Sequence, residues 1–231
     1  MDQRSYNQYC ATARTLDLVG ERWTLLLIRE LLTGPKRFGD LQASLRGLGT
    51  GLLAARLKHL EREGLAHKVM LPPPARTPAY ALTEAGAELG VPILGLARWG
   101  LKWAMGERRE SESFHPGWAV LGLRACFDAE VAAGLRAVYE FRIDDEVLHA
   151  RIDDGTIEAM HGPAQHPDAT ITISEEAFLD VTSHGLTFAD AIETGAASAS
   201  GDSEALRRLK GLFRLPPPRS REVDPPRPDH A

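Results

Sequence analysis

The sequence predicts two domains of different class in one chain. The first is mostly α-helical, with a helix-turn-helix and a winglike β-hairpin; the second is α+β, with helices over an antiparallel sheet. Three observations carry this prediction. Residues 38–64, FGDLQASLRGLGTGLLAARLKHLEREG, read as a short helix, a glycine-containing turn and a longer amphipathic helix stopped by Gly64. Beyond residue 118 the helical periodicity gives way to short apolar runs separated by Asp-Asp and Asp-Asp-Gly turns. The charge also changes sign: residues 1–106 carry 14 Lys+Arg against 9 Asp+Glu, and residues 107–231 carry 13 against 23. The net charge of −5 therefore hides a basic front and an acidic back, a pattern of two domains with different partners.

The elements follow in order. Ala11 to Val19 and Trp23 to Leu32 read as helices split by Gly20; the second, WTLLLIRELL, is apolar nearly all round, as a central buried helix should be. Gly34-Pro35 stops it. Phe38 to Leu45 and Thr50 to Glu63 make the helix-turn-helix, the second helix having Leu53, Leu57 and Leu60 as one stripe. His67 to Leu71 and Ala79 to Leu82 flank PPPARTP, a hairpin whose tip carries Arg76. Thr83 is the expected N-cap of one helix from Glu84 to about Met105, bent near Gly90 and Pro92. Residues 107–117 read as a linker. A helix over Ala119 to Leu135, four strands (Ala137 to Ile143, Val147 to Ile152, Thr156 to Gly162, Ala169 to Ile173) and three helices after Ser174 complete the second domain. Ser174 is the expected N-cap of the first of these, and the other two lie near Thr187 to Glu193 and Ser203 to Phe213. The expected boundaries are 1–106, linker 107–117, 118–215 and a disordered tail 216–231, too poor in apolar residues to fold.

Composition narrows the function classes. Two cysteines, Cys10 and Cys126, give no disulfide framework. The polar start and the lack of an apolar run of roughly 18–20 residues lead to the expectation of a cytoplasmic protein without a membrane partner. The histidines lack ligand spacing, so no metal site is expected, and no phosphate loop, nucleophile elbow or carboxylate pair supports an enzyme or a cofactor.

The joint order ARTLDLVGERWTLLLIRELL (13–32), RFGDLQ (37–42), LLAARLKHLEREGL (52–65), PAYALTEAG (78–86) and ARWG (97–100) resembles the HxlR-type winged helix-turn-helix regulators. The resemblance implies a homodimer built from the N-terminal and last helices, and a palindromic double-stranded operator. It also implies that the helix Thr50 to Glu63 enters the major groove and that the wing lies at the adjacent minor groove. The stretch HPDATITISEEAFLDVTSHGLTFADAIETGAASASGDSEALRRLKGLF (166–213) resembles sterol-carrier-protein-type domains, which implies an apolar cavity between helices and sheet.

Candidate DNA-contacting residues are therefore Arg37, Thr50, Gly51, Ala54, Arg56, Lys58, His59, Arg76 and Thr77. None near the helix start is a bidentate base reader, so the wing, Lys58 or His59, and DNA shape must share in specificity. Candidate ligand contacts are Phe141, Leu148, Phe178, Leu179, Phe188, Ile192, Leu209 and Phe213. The expectation is a transcriptional regulator, a repressor, that is governed by a small apolar ligand. One alternative is a thiol-based regulator sensing electrophiles or oxidants through Cys10, with Arg14 one turn away as the source of positive charge. The other is a lipid-binding module without DNA function.

Overall fold

The computed structural model describes residues 5–105, 109, 111–112, 114–183 and 187–213. Much of the expected linker, the whole expected tail, and residues 184–186 lie outside the described residues. The chain divides into two compact units, Met1–Leu94 and Gly95–Ala231.

The first unit contains α1 (Ala11–Val19), α2 (Thr24–Leu31), α3 (Phe38–Ser44), α4 (Thr50–Arg62), the hairpin β1 (Ala66–Met70) and β2 (Pro78–Leu82), and α5 (Glu84–Glu88). α6 (Gly90–Trp103) runs through the division point. The core is the inner face of four helices: Leu27, Ile28, Leu41, Leu53 and Leu60 are fully buried. α2 starts one residue later than Trp23 because that residue sits at φ 78, a left-handed conformation that cannot continue a right-handed helix. The expected single helix from Glu84 is two helices. Pro92 has no N–H to offer the Glu88 carbonyl four residues back, so α5 ends at Glu88 and the proline falls in the first turn of α6. Thr83 caps α5, its hydroxyl accepting the Gly86 N–H at 3.1 Å and donating to the Gly64 carbonyl at 2.6 Å.

The second unit adds α7 (Ala119–Cys126), β3 (Arg136–Ile143), β4 (Glu146–Asp153), β5 (Thr156–His161), β6 (Ala169–Ile173), α8 (Glu175–Ser183), α9 (Phe188–Glu193), β7 (Ala197–Gly201) and α10 (Ser203–Leu212). The sheet order is β5-β4-β3-β6-β7. It is mixed rather than antiparallel, because β3 and β6 pair in parallel with Tyr139 opposite Ala169 and Ile143 opposite Ile173. The meander β3-β4-β5 ends at one edge, and the chain then returns to lay β6 beside β3 in the same direction. That return is fixed to the sheet face opposite the helices. The Ala164 N–H donates to the buried Glu140 carboxylate at 2.9 Å, and His149 Nδ1 donates to the Gly162 carbonyl at 2.8 Å. Glu140 also receives both Nε and Nη2 of Arg142 at 2.8 Å, so its charge is satisfied.

Tyr139, Phe141, Ile143, Leu148, Ala150, Ile152, Ala169, Ile171 and Ile173 form the covered face of the sheet. The helix expected to reach Leu135 ends at Cys126. Phe127 turns extended and bridges Phe213, and the Asp128 carboxylate takes the Glu130 and Val131 N–H groups into a turn. The edge strand β7 does not show in sequence: ASASG has neither β-branched nor aromatic residues. The expected cap at Ser174 is present, its hydroxyl accepting the Ala177 N–H at 3.1 Å, and Thr187, expected as the first residue of its helix, is instead its N-cap and accepts the Asp190 N–H at 3.1 Å.

Two glycines behave oppositely. A Cβ on Gly86 would run into the Leu65 carbonyl oxygen, whereas one on Gly51 meets nothing within 4 Å. Gly86→Ala is expected to cost about 2–4 kcal/mol in denaturant melts, and Gly51→Ala to leave stability equal or raised by up to about 1 kcal/mol. Equal melts for the two variants would contradict the close approach of α5 to the α4–β1 corner.

Candidate nucleic-acid interface and apolar pocket

α4 has two functional faces. Leu53, Leu57 and Leu60 are at most 1% exposed and embed the helix. Each contributes about 2 kcal/mol by burial. Thr50, Gly51, Ala54 and Lys58 are exposed, with Thr50, Ala54 and Lys58 one turn apart along a single row. The small residues leave the helix backbone open to close approach, and Lys58 adds an exposed cation to the same row.

Arg56 and His59 do not share that face. Arg56 Nε donates to the Arg22 carbonyl at 3.3 Å and its Nη2 to the Glu21 carboxylate at 2.8 Å. His59 Nε2 donates to the Leu18 carbonyl at 2.7 Å, which leaves Nδ1 to accept from Arg62 at 2.9 Å. Both side chains bind α4 to the corner between α1 and α2.

The hairpin is held by a main-chain bridge from Lys36, whose N–H and C=O both pair with Tyr80 at 3.0 and 2.8 Å. The bridge sets Arg37, exposed at the start of α3, next to the strand that leads from the wing tip. Arg76 is exposed at that tip with φ 37, while the Thr77 hydroxyl is enclosed and without a hydrogen-bond partner. Sequence reasoning misses Arg46, exposed in the turn between α3 and α4. Its signal was available as a cation immediately before Gly47-Leu48-Gly49 in the turn.

The second unit holds an apolar pocket of about 410 Å³, mouth included, lined by Leu101, Gly122, Leu123, Cys126, Phe178, Val181, Phe188 and Phe213. Of the expected ligand contacts, Phe178, Phe188 and Phe213 line it. Phe141, Leu148 and Leu209 are buried in the core behind it, with the Phe141 ring 5.3 Å from Phe188 and 5.8 Å from Phe213. Ile192 is packed half-buried against that core, and Leu179 is half-buried outside the lining. Cys126 was legible only as a core residue in an apolar helix. Its burial pushes the thiol up to about 12, so it stays protonated at neutral pH.

Cys10 differs. It is exposed just before α1, where the backbone N–H groups of Ala13 and then Thr12 draw its pKa below the ordinary thiol value. Arg14, the expected source of charge, instead places its guanidinium over the Tyr9 ring at 5.7 Å. No described helix is long and apolar enough to cross a membrane. Among the described residues, no group of three or more His, Cys, Asp or Glu could hold a metal ion.

Residues 18–108 match the HxlR-like helix-turn-helix family model, and residues 123–221 match that of alkyl sulfatase C-terminal domains rather than the sterol-carrier type expected for the second half. An HTH-type transcriptional regulator of Mycobacterium tuberculosis (strain H37Rv) is 42% identical over 90 residues, covering 39% of this chain and 56% of that protein. This chain thus spans about half the length of the mycobacterial relative. The HTH-type regulator YvaP of Bacillus subtilis is 35% identical over 91 residues, covering 39% of this chain and 83% of that protein. The solved structure of the reduced form of the transcriptional regulator YodB from B. subtilis is 31% identical, covers 40% of this chain and 92% of that one, and has a TM-score of 0.36. The chain belongs, through its first half, to the HxlR-like helix-turn-helix transcriptional regulators.

The two cysteines lead to a chemical prediction. At about pH 7.5 a hydrophilic alkylating reagent is expected to modify Cys10 in the native chain and Cys126 only after unfolding. Folding raises the Cys126 pKa from 9.0 to about 12, so its burial favours the native state fully below pH 9.0 and loses that effect as pH climbs toward 12. Melts of Cys126→Ala against the parent between those pH values should show the variant losing less stability. Native-state labelling of Cys126 at the rate of Cys10 would contradict the burial.

Proposed function

We propose that this chain is a ligand-controlled transcriptional regulator that binds a palindromic operator as a homodimer and represses in the absence of ligand. The observation that carries the reading is the division of α4: an inner leucine row locked in the core, an outer row of Thr50, Ala54 and Lys58 left bare, and the wing beside it. Arg37, Gly51 and Arg76 complete the contact set, with Arg46 added. Arg56 and His59 act through α4 by holding its rotation. Thr77 supports the wing tip. Exposed apolar side chains on the N-terminal segment and α6, among them Tyr9, Leu16, Val91, Leu96 and Trp99, suit a homodimer formed by those elements. The apolar pocket suits a small ligand enclosed by helices over a sheet.

A second reading is favoured by one observation, the exposed and acidified Cys10 thiol. In that reading an electrophile or oxidant, not a pocket ligand, releases the DNA. Cys10→Ser separates the two: it keeps its response to pocket ligands in the first reading and loses all response in the second.

DNA binding is tested by salt dependence. Binding of wild type is expected to weaken steeply with salt, and Lys58→Ala to lower the slope of log K against log salt by about 0.9 for each lysine lost, or about 2 for a dimer. Arg56→Ala is expected to leave that slope unchanged while lowering the melting temperature of the first unit. The opposite pattern would contradict the assignment of α4's faces.

A further inference from the structure

The pocket wall has a composition that a core alone does not require. Six of the seven phenylalanines in the chain form one connected set of ring contacts. Phe114 meets Phe178 at 5.8 Å, Phe178 meets Phe188 at 6.1 Å, Phe188 meets Phe213 at 6.2 Å, and Phe141 and Phe127 join through Phe213. The sheet face beneath adds Tyr139 and Phe141 to alanine, isoleucine and leucine, and three rings of the set, Phe178, Phe188 and Phe213, line the cavity itself. Rings at these spacings present both faces and edges, which favours an aromatic guest in offset or edge-on contact. Among the described residues no lining side chain carries a charge, and the one polar side-chain atom in the wall is the Cys126 sulfur. A carboxylate, sulfate or phosphate placed inside would lose its hydration and meet no charged side chain of the lining, the Arg98 charge that acts on Cys126 lying outside that lining.

The same wall contains Leu101 of α6. That helix supplies Ile93 to the hydrophobic core of the first unit and Leu101 to the pocket of the second. A guest that touches Leu101 acts on α6 directly. Its occupancy can shift DNA affinity to the extent that it binds two positions of that helix differently.

We propose that the pocket takes an uncharged single-ring aromatic molecule, and that Leu101 is the residue through which α6 registers its presence. This rests on the ligand-controlled reading above and names the ligand class and the transmitting contact.

The test uses the full chain and palindromic DNA recovered by selection from a random pool. Ethylbenzene, benzoate and decanol are titrated by calorimetry, and DNA affinity is measured with and without each. Ethylbenzene is expected to bind, to bind at least about tenfold tighter than benzoate, and to change DNA affinity about tenfold. Gly122→Leu fills the cavity from a position where a Cβ meets nothing within 4 Å, so it should fold normally and lose ethylbenzene binding. Leu101→Ala removes one wall contact and is expected to weaken ethylbenzene binding, so it is compared at ethylbenzene concentrations that saturate the variant by calorimetry, where the effect on DNA affinity should fall below about twofold.

Benzoate binding as tightly as ethylbenzene would overturn the uncharged class. Decanol binding where ethylbenzene does not would overturn the aromatic class and leave ligand control standing. No binding by any of the three would sink ligand control with it. A full DNA response in Leu101→Ala would overturn the transmitting role.

Discussion

A helix that enters a groove must surrender one face to its own domain and keep the other bare, and the domain must also fix which face is which. In α4 the inner face is set by Leu53, Leu57 and Leu60, which are buried completely against α2 and α3 residues of the same core. Rotation is set separately, by Arg56 and His59 reaching sideways to the Arg22 and Leu18 carbonyls. Truncating a leucine of that row would cost about 2–5 kcal/mol through lost burial and a cavity. Losing a sideways bond costs less but frees the helix to roll. The wing depends on the same frame, since its base is bridged to Lys36 just before α3.

The second unit is organised around a different constraint. Returning from the β5 edge to pair β6 with β3 leaves a crossing segment that must find hydrogen bonds on the outer sheet face, and Glu140 and His149 provide them. With that face occupied by polar chain, all helices lie on the other. Tyr139 joins the layers there, its hydroxyl donating to the Ala205 carbonyl at 2.8 Å, and burial pushes its pKa up to about 12. The phenylalanine network fills the remaining space without closing it, and the cavity is what is left.

Most of the first unit was legible because its signals are local. The leucine stripe of α4, the Gly34-Pro35 stop, the Thr83 cap and the Pro-rich wing tip each act within a few residues. The break at Glu88 was the exception, since the effect of Pro92 lies four residues upstream of the proline itself. In the second unit the two aspartate turns marked off three strands, and the β-branched run ATITI gave the fourth. The parallel β3–β6 pair and β7 escaped notice because strand direction and edge pairing are decided by connections, not by local composition. In the candidate sites, residue type gave Arg56 and His59 the same weight as Lys58. Only the fold shows that two of these three side chains are spent on the corner between α1 and α2. The pocket followed the same rule: its aromatic lining was legible, whereas Leu101, Gly122, Leu123, Cys126 and Val181 required the packing of α6, α7 and α8.

The most direct test of the central claim is selection of double-stranded DNA from a random pool by the full chain at low salt, followed by sequencing. The account predicts enrichment of a palindrome whose half-sites are centred about one helical turn or a small multiple of it apart, roughly 34 Å per turn. Absence of any enriched sequence, with the protein folded, would contradict it.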